Sequence, residues 1–159
     1  MTDNAGDSSE AITDALLSAS RLLVAISARS IADVDDTLTF PQFRTLVILR
    51  TRGPVNLATL AGLLDVTPST AGRMVDRLVD AGLIDRRPHP ESRRELIAEL
   101  SARGRHTVDA VTAKRRAEIA AIVATMPPVE RHGLVRALAA FTEAGGELPV
   151  GPAEEDHLR

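Results

Sequence analysis

Six arginines stand at spacings suited to a polyanionic partner. Arg73 and Arg77 lie about one helical turn apart, and Arg86, Arg87, Arg93 and Arg94 crowd a short proline-containing stretch. A guanidinium offers a rigid fork of N–H donors, which pairs bidentately with O6 and N7 of guanine or with phosphate oxygens. Thr67, Pro68, Ser69 and Thr70 precede Arg73. Small hydroxyl residues at the start of a helix let it approach DNA closely and bond phosphate or base edges. Arg73, one turn further in, is the candidate base reader, and Arg77, a turn beyond, the candidate phosphate contact. Four arginines on a narrow projection suit a minor groove, where negative potential is deepest. Arg93 and Arg94 would serve there, with Arg86 and Arg87 supporting on phosphate. Any one of these residues could be an ordinary solvated position; their combination points to double-stranded DNA.

The elements that must position them can be read from periodicity and caps. Leu57, Leu60, Ala61 and Leu64, widened by Leu63, form the apolar stripe of a short helix that Asn56 can cap. Asp65 and Val66 make a turn. Thr67 is a good N-cap, and Pro68 suits the first helical position, where its missing N–H costs nothing. Ala71, Met74, Val75 and Leu78 give this second helix a buried face, leaving Ser69, Thr70, Arg73, Asp76 and Arg77 opposite. Gly82 suits the position after the helix, where φ is often positive. Leu83 to Arg87 and Arg94 to Leu100 read as two strands, with Leu96, Ala98 and Leu100 alternating with Glu95 and Glu99; Ile97 breaks the pattern. Pro88 to Ser92 is expected to be the connecting turn, its two prolines blocking further pairing. Two helices followed by a hairpin make a helix-turn-helix with a wing.

Outside this segment, Ile12, Leu16, Ala19, Leu23 and Ile26 repeat at helical spacing from Ala11 to about Val34. Thr39 and Gln42 form a capping box for a helix whose core side carries Phe43, Leu46, Val47 and Leu49. Gly53-Pro54 closes it. Ser101 can cap a long helix through Val108, Val111, Ile119, Ile122 and Val123. Pro127-Pro128 breaks the chain before a last helix with Leu134, Val135, Leu138 and Phe141, which Gly145-Gly146 stops. The expected fold is mainly α with a small β-hairpin wing: a winged helix-turn-helix lobe at 37–100 plus a helical dimerisation region at 10–36 and 101–146. Residues 1–9 are expected to be disordered and 147–159 a flexible tail. The outer helices carry more apolar surface than one small lobe can cover, and a second copy of the chain is the simplest cover.

Composition narrows the classes. With 159 residues, 2% aromatics and neither Trp nor Tyr, the core must come from aliphatic side chains and methionine, which suits helix-on-helix packing. No cysteine is present, so disulfides and thiolate chemistry are excluded. The formal net charge of −3 is weighted by acids at the two ends, whereas DNA binding responds to the local field. Asp76, Asp80 and Asp85 lie near the arginines and should moderate non-specific affinity. Asp33, Asp35 and Asp36 read as a solvated helix end, and neither metal nor cofactor is expected. The four histidines, 89, 106, 132 and 157, are scattered, and no catalytic triad, paired metal-ligand spacing or phosphate loop is present, so no enzyme is expected. No signal peptide, lipidation motif or long apolar span is visible, which places the expected site of action in the cytoplasm, away from membranes.

Three stretches resemble the MarR family of bacterial transcription regulators. Leu38-Thr39-Phe40-Pro41-Gln42-Phe43 is similar to the LTxxQF opening of the helix before the DNA-binding lobe. Leu60-Ala61, Thr67-Pro68-Ser69-Thr70 and Leu78-Val79-Asp80-Ala81-Gly82-Leu83-Ile84 resemble the reading head. Arg86-Arg87-Pro88, Ser92-Arg93-Arg94, Leu100-Ser101 and Gly104 resemble the wing and the start of the next helix. One position departs: the family carries aspartate at the wing tip to hold an arginine, and this chain has Ser92, which can accept a hydrogen bond without charge. The resemblance implies a homodimer joined through its first, fifth and sixth helices and bound to a pseudo-palindromic operator. It also implies repression relieved by a small aromatic or anionic effector in a cleft between the dimerisation helices and the reading head, near Arg29, Phe43, Arg44 and His106. The alternative is a winged-helix protein–protein adaptor without sequence-specific DNA binding.

Overall fold

The computed structural model describes residues 8–150, with the side chain of Arg93 outside that description. Helix α1 is Ser9–Val34 and α2 Phe40–Arg52; strand β1 is Val55–Asn56; helices α3, Leu57–Leu64, and α4, Pro68–Asp80, follow. Strands β2, Ile84–His89, and β3, Ser92–Leu100, then lead to α5, Ala102–Thr125, α6, Pro128–Arg131, and α7, Leu134–Ala144. The chain forms two compact units that divide inside α5, one ending at Ile119 and the other starting at Ala120.

Most of the expected helix ends are set by local chemistry. Thr39 Oγ1 accepts from Gln42 N, and the Gln42 side chain accepts from Thr39 N, the reciprocal capping box expected at the start of α2. Asn56 caps α3 through Thr59 N. α1 starts earlier than the apolar repeat suggested: Ser8 accepts from Ala11 N, so Ser8 and Ser9 leave the stretch expected to be disordered. The rest of that stretch, and 151–159 of the expected tail, lie outside the described residues. The two prolines at 127–128 do break the chain, but the second of them opens the short helix α6, as its fixed φ allows.

In the first unit an aliphatic core joins α2, α3, α4 and the sheet to the end of α1 and the start of α5. Leu46, Leu60, Val75, Leu78, Leu83, Ile84 and Val111 are almost fully buried within it. Each such side chain is worth roughly 1.5–3 kcal/mol against exposure, so aliphatic residues carry most of this core, with Phe43 the aromatic within it. This core crosses the boundaries drawn at residues 36 and 101, because Ile31 and Val108 belong to it.

The sheet has three antiparallel strands in the order β1-β3-β2. Strand β1, unforeseen in the sequence, pairs Val55 with Ala98 and Asn56 with Ile97; two residues are too few to show a period. Both hairpin strands reach further than expected. Pro88 lies opposite Leu96 and His89 opposite Ser92, with an irregularity between Pro88 and His89, so only Pro90 and Glu91 form the turn. Pro88 is tolerated because β2 is an edge strand and needs no outward N–H. Leu96 shares the inward face of Ala98 and Leu100 but is covered only in part. Leu96 is 42% exposed whereas Ile97 is 9% exposed. β3 is the central strand, so Ile97 is flanked by Asn56 and Arg87, whereas Leu96 stands where the hairpin continues past β1.

α1 is 26 residues long and, by length and composition alone, apolar enough to cross a membrane, against the expectation of no long apolar span. Asp14, Arg21, Arg29 and Asp33 interrupt it. Ile12, Leu17, Leu22, Leu23 and Val24 are exposed along it, while Ile26 and Ile31 are buried. In the second unit Val129, Val135, Leu138 and Phe141 are likewise exposed.

Candidate nucleic-acid interface

The turn between α3 and α4 is closed by backbone geometry. Asp65 adopts φ 54°, ψ 46°, a left-handed conformation that aspartate tolerates better than most residues. Val66 N donates to Ala61 O at 3.0 Å. The chain then enters α4 through Thr67, with Pro68 at the first helical position as expected. Thr67 Oγ1 accepts from Thr70 N at 3.3 Å and lies 3.1 Å from Ser69 Oγ and 2.9 Å from Thr70 Oγ1. Arg73 Nη2 in turn donates to Thr70 Oγ1 at 3.4 Å. A ladder of hydroxyls therefore runs from the cap to the first arginine. Thr67→Ala removes its first rung, and a loss of about 1 kcal/mol of stability is expected from the cap alone. Urea denaturation followed by circular dichroism checks this; an unchanged midpoint contradicts it.

Ala71, Val75 and Leu78 are buried on α4, while Ser69, Arg73, Asp76 and Arg77 are exposed, so the two faces divide as the sequence implied. Gly82 ends the helix at φ 75° and turns the chain into β2. The start of α5 latches onto this turn. Ser101 Oγ donates to Gly82 O at 2.6 Å and accepts from Gly104 N at 3.0 Å, and Arg103 Nη1 donates to Ala81 O at 3.0 Å. Arg103 escaped the sequence reading. It satisfies a carbonyl at the C-terminal end of α4, where a cation is favoured.

The wing arginines divide into two kinds. Arg86 Nη1 meets Asp76 Oδ1 of α4 at 2.6 Å, and Arg87 Nε meets Glu99 Oε1 of β3 at 3.4 Å. Both were expected to support on phosphate, yet both already face a carboxylate. Arg94 is exposed on β3 and has no ion-pair partner among the described residues. The expectation for Arg93 as a DNA contact concerns a side chain outside the described residues. Ser92 stands at the start of β3, paired with His89, and the turn is held by Glu91 N donating to His89 Nδ1 at 3.1 Å.

The residues suggested for an effector occupy different settings. Phe43 is 5% exposed and belongs to the core. Arg44 and His106 are exposed on α2 and α5. Arg29 is exposed on α1 and paired with Glu118 of α5 at 2.7 Å. That hydrogen bond, and then the carboxylate's charge, raise the Arg29 pKa above its ordinary value, so the guanidinium stays charged. Asp33 faces Lys114 at 3.7 Å. Asp35 Oδ1 accepts from the backbone and hydroxyl of Thr37, which gives that acid a role in the loop after α1. Two buried polar atoms have no hydrogen-bond partner among the described residues, Ser30 Oγ and Arg115 Nε.

Residues 38–96 match the model of the MarR family, the stretch from α2 to the far side of the wing. RV1404 from Mycobacterium tuberculosis, a solved structure, is 69% identical to this chain. It covers 91% of this chain and 99% of its own, with a TM-score of 0.84. A MarR family protein from Bacillus stearothermophilus superposes with a TM-score of 0.70 at 20% identity, covering 88% of this chain and 99% of that one; this likeness speaks to the fold alone. The HTH-type transcriptional repressor NicR of Pseudomonas putida is 38% identical over 77 residues, which span 48% of this chain and 49% of that protein. The match thus spans about half the length of this curated relative. The winged lobe built around α4, its matched stretch and a near full-length relative place this chain in the MarR family.

Proposed function

We propose that this protein is a dimeric DNA-binding transcriptional regulator, acting in the cytoplasm as a repressor on a pseudo-palindromic operator. The observation that carries the reading is the exposed row of Ser69, Arg73 and Arg77 on α4 beside a wing with Arg94 at its edge. Such a helix enters a major groove while the wing follows the flanking backbone or minor groove. The name of NicR as a repressor supports the direction of control. The apolar side chains exposed on α1, and separately on α7, support a second copy as the partner, since homodimers dominate soluble assemblies. Two copies give two reading heads for two half-sites.

Small aromatic or anionic compounds are the effector class. A ligand that favours one spacing of the two heads over another releases the operator through its differential affinity for the two forms. Arg29, Arg44 and His106 are the exposed candidates for holding it. Phe43, as a core residue, would act only through the packing of α2.

Fluorescence anisotropy with the duplex upstream of the protein's own gene tests the function. Saturable binding that weakens steeply with salt is expected. The adaptor reading gains some support from the carboxylates facing Arg86 and Arg87; binding to neither this duplex nor neighbouring promoters would favour it. Within the same assay Arg94→Ala should weaken binding and flatten the plot of log K against log salt by about one. An unchanged slope removes Arg94 from the interface.

A further inference from the structure

An acid on the DNA-facing side of a reading helix needs a reason. Asp76 lies three residues after Arg73 and one before Arg77 on α4, and its side chain is 54% exposed. A bare carboxylate there would oppose every phosphate that approaches. It is not bare, because Arg86 of β2 meets it at 2.6 Å. The pair does little for the fold, since both side chains are substantially exposed and solvent screens them.

We infer that Asp76 is a specificity-determining residue that withholds Arg86 from the DNA backbone. Resting on the proposed DNA-binding function, this inference assigns to the Asp76–Arg86 pair the job of keeping sequence-independent affinity low. With the pair formed, Arg86 adds no net charge to the interface. If a phosphate were to take Arg86, Asp76 would be left uncompensated beside the duplex. Either way the two residues together release no net counterion. The pair runs from the first strand of the wing to the reading helix. Beneath it lies a small hollow lined by Leu57, Gly72, Val75, Arg86, Leu96 and Ala98.

The test compares the full-length protein with Asp76→Asn, Arg86→Gln and the double variant on two probes across a salt series. One probe is the duplex upstream of its own gene, and the other is a scrambled duplex of the same length and composition. Asp76→Asn should bind the scrambled duplex more tightly, with a salt slope steeper by about one, and the preference between the two probes should narrow. Arg86→Gln exposes the carboxylate and should weaken binding to both probes without steepening the slope. The double variant should return to the wild-type slope, and Asp76→Glu should behave as wild type. An unchanged slope for Asp76→Asn overturns the inference. So does weaker binding confined to the upstream duplex, which would instead make Asp76 a reader of a base such as cytosine through its amino group. Wild-type protein that binds neither these probes nor neighbouring promoters would overturn the proposed function itself, an outcome visible before any variant is compared.

Discussion

Gly104→Ala lowers the thermal midpoint by roughly 6–12 °C, corresponding to a loss of about 3 kcal/mol at about 2–4 °C per kcal/mol for a chain of this size. The first turn of α5 runs directly over Leu83. A methyl group at 104 would collide with the Leu83 carbonyl oxygen and carbon, and would press within 3.2 Å of Leu100 Cδ2. The obstacle is backbone, which cannot rotate aside as a side chain can. The same carbonyl accepts a hydrogen bond from Ser101 N at 3.1 Å, so it is held from the other side. Overpacking a core by one methyl group generally costs about 1–3 kcal/mol, and a clash with a fixed peptide belongs at the upper end. Relief requires α5 to lift from the turn after α4, breaking the bonds that Ser101 and Arg103 make to Gly82 and Ala81. Circular dichroism melts of the two proteins check the expectation. A shift below about 2 °C contradicts the close approach.

Arg73→Ala weakens operator binding by about 1–3 kcal/mol, or roughly 5- to 150-fold, and relaxes preference at one position of each half-site. Arg73 is exposed, one turn into α4, and its guanidinium leans on Thr70 Oγ1 at 3.4 Å. That contact is at the long end for a hydrogen bond, so the fork remains available to a guanine edge. The hydroxyl beneath it restricts the side chain's range, which reduces the entropy lost on binding. Competition with single-base variants of the operator separates the readings. A loss equal on all sequences makes Arg73 a phosphate contact instead.

How far the sequence reached depended on the range of the forces involved. Caps and breaks are local, so Thr39, Asn56, Thr67 and Gly82 declared their roles directly, and the structure realises each of them. The two faces of α4 were legible because thirteen residues display the helical period well. What escaped required partners far apart in the chain. Arg86 looked free until Asp76 was brought beside it, and Arg87 until Glu99 was. Arg103 looked like a helix surface residue until it met Ala81 O. The exposure of Leu96 and burial of Ile97 depend on where β1 stops, and β1 is too short to leave a pattern. In the sequence Gly104 carries only a family resemblance; its steric reason lies in how α5 crosses Leu83.

The proposed dimer, with each α4 in a major groove, would leave a characteristic imprint on DNA. Hydroxyl-radical footprinting on the duplex upstream of its own gene reads that imprint directly. Two protected patches are expected, with centres about 10–10.5 base pairs apart or a multiple of that, and Arg73→Ala should need roughly 5- to 150-fold more protein to produce both. A single protected patch at saturation, or even protection along any duplex supplied, would contradict the account.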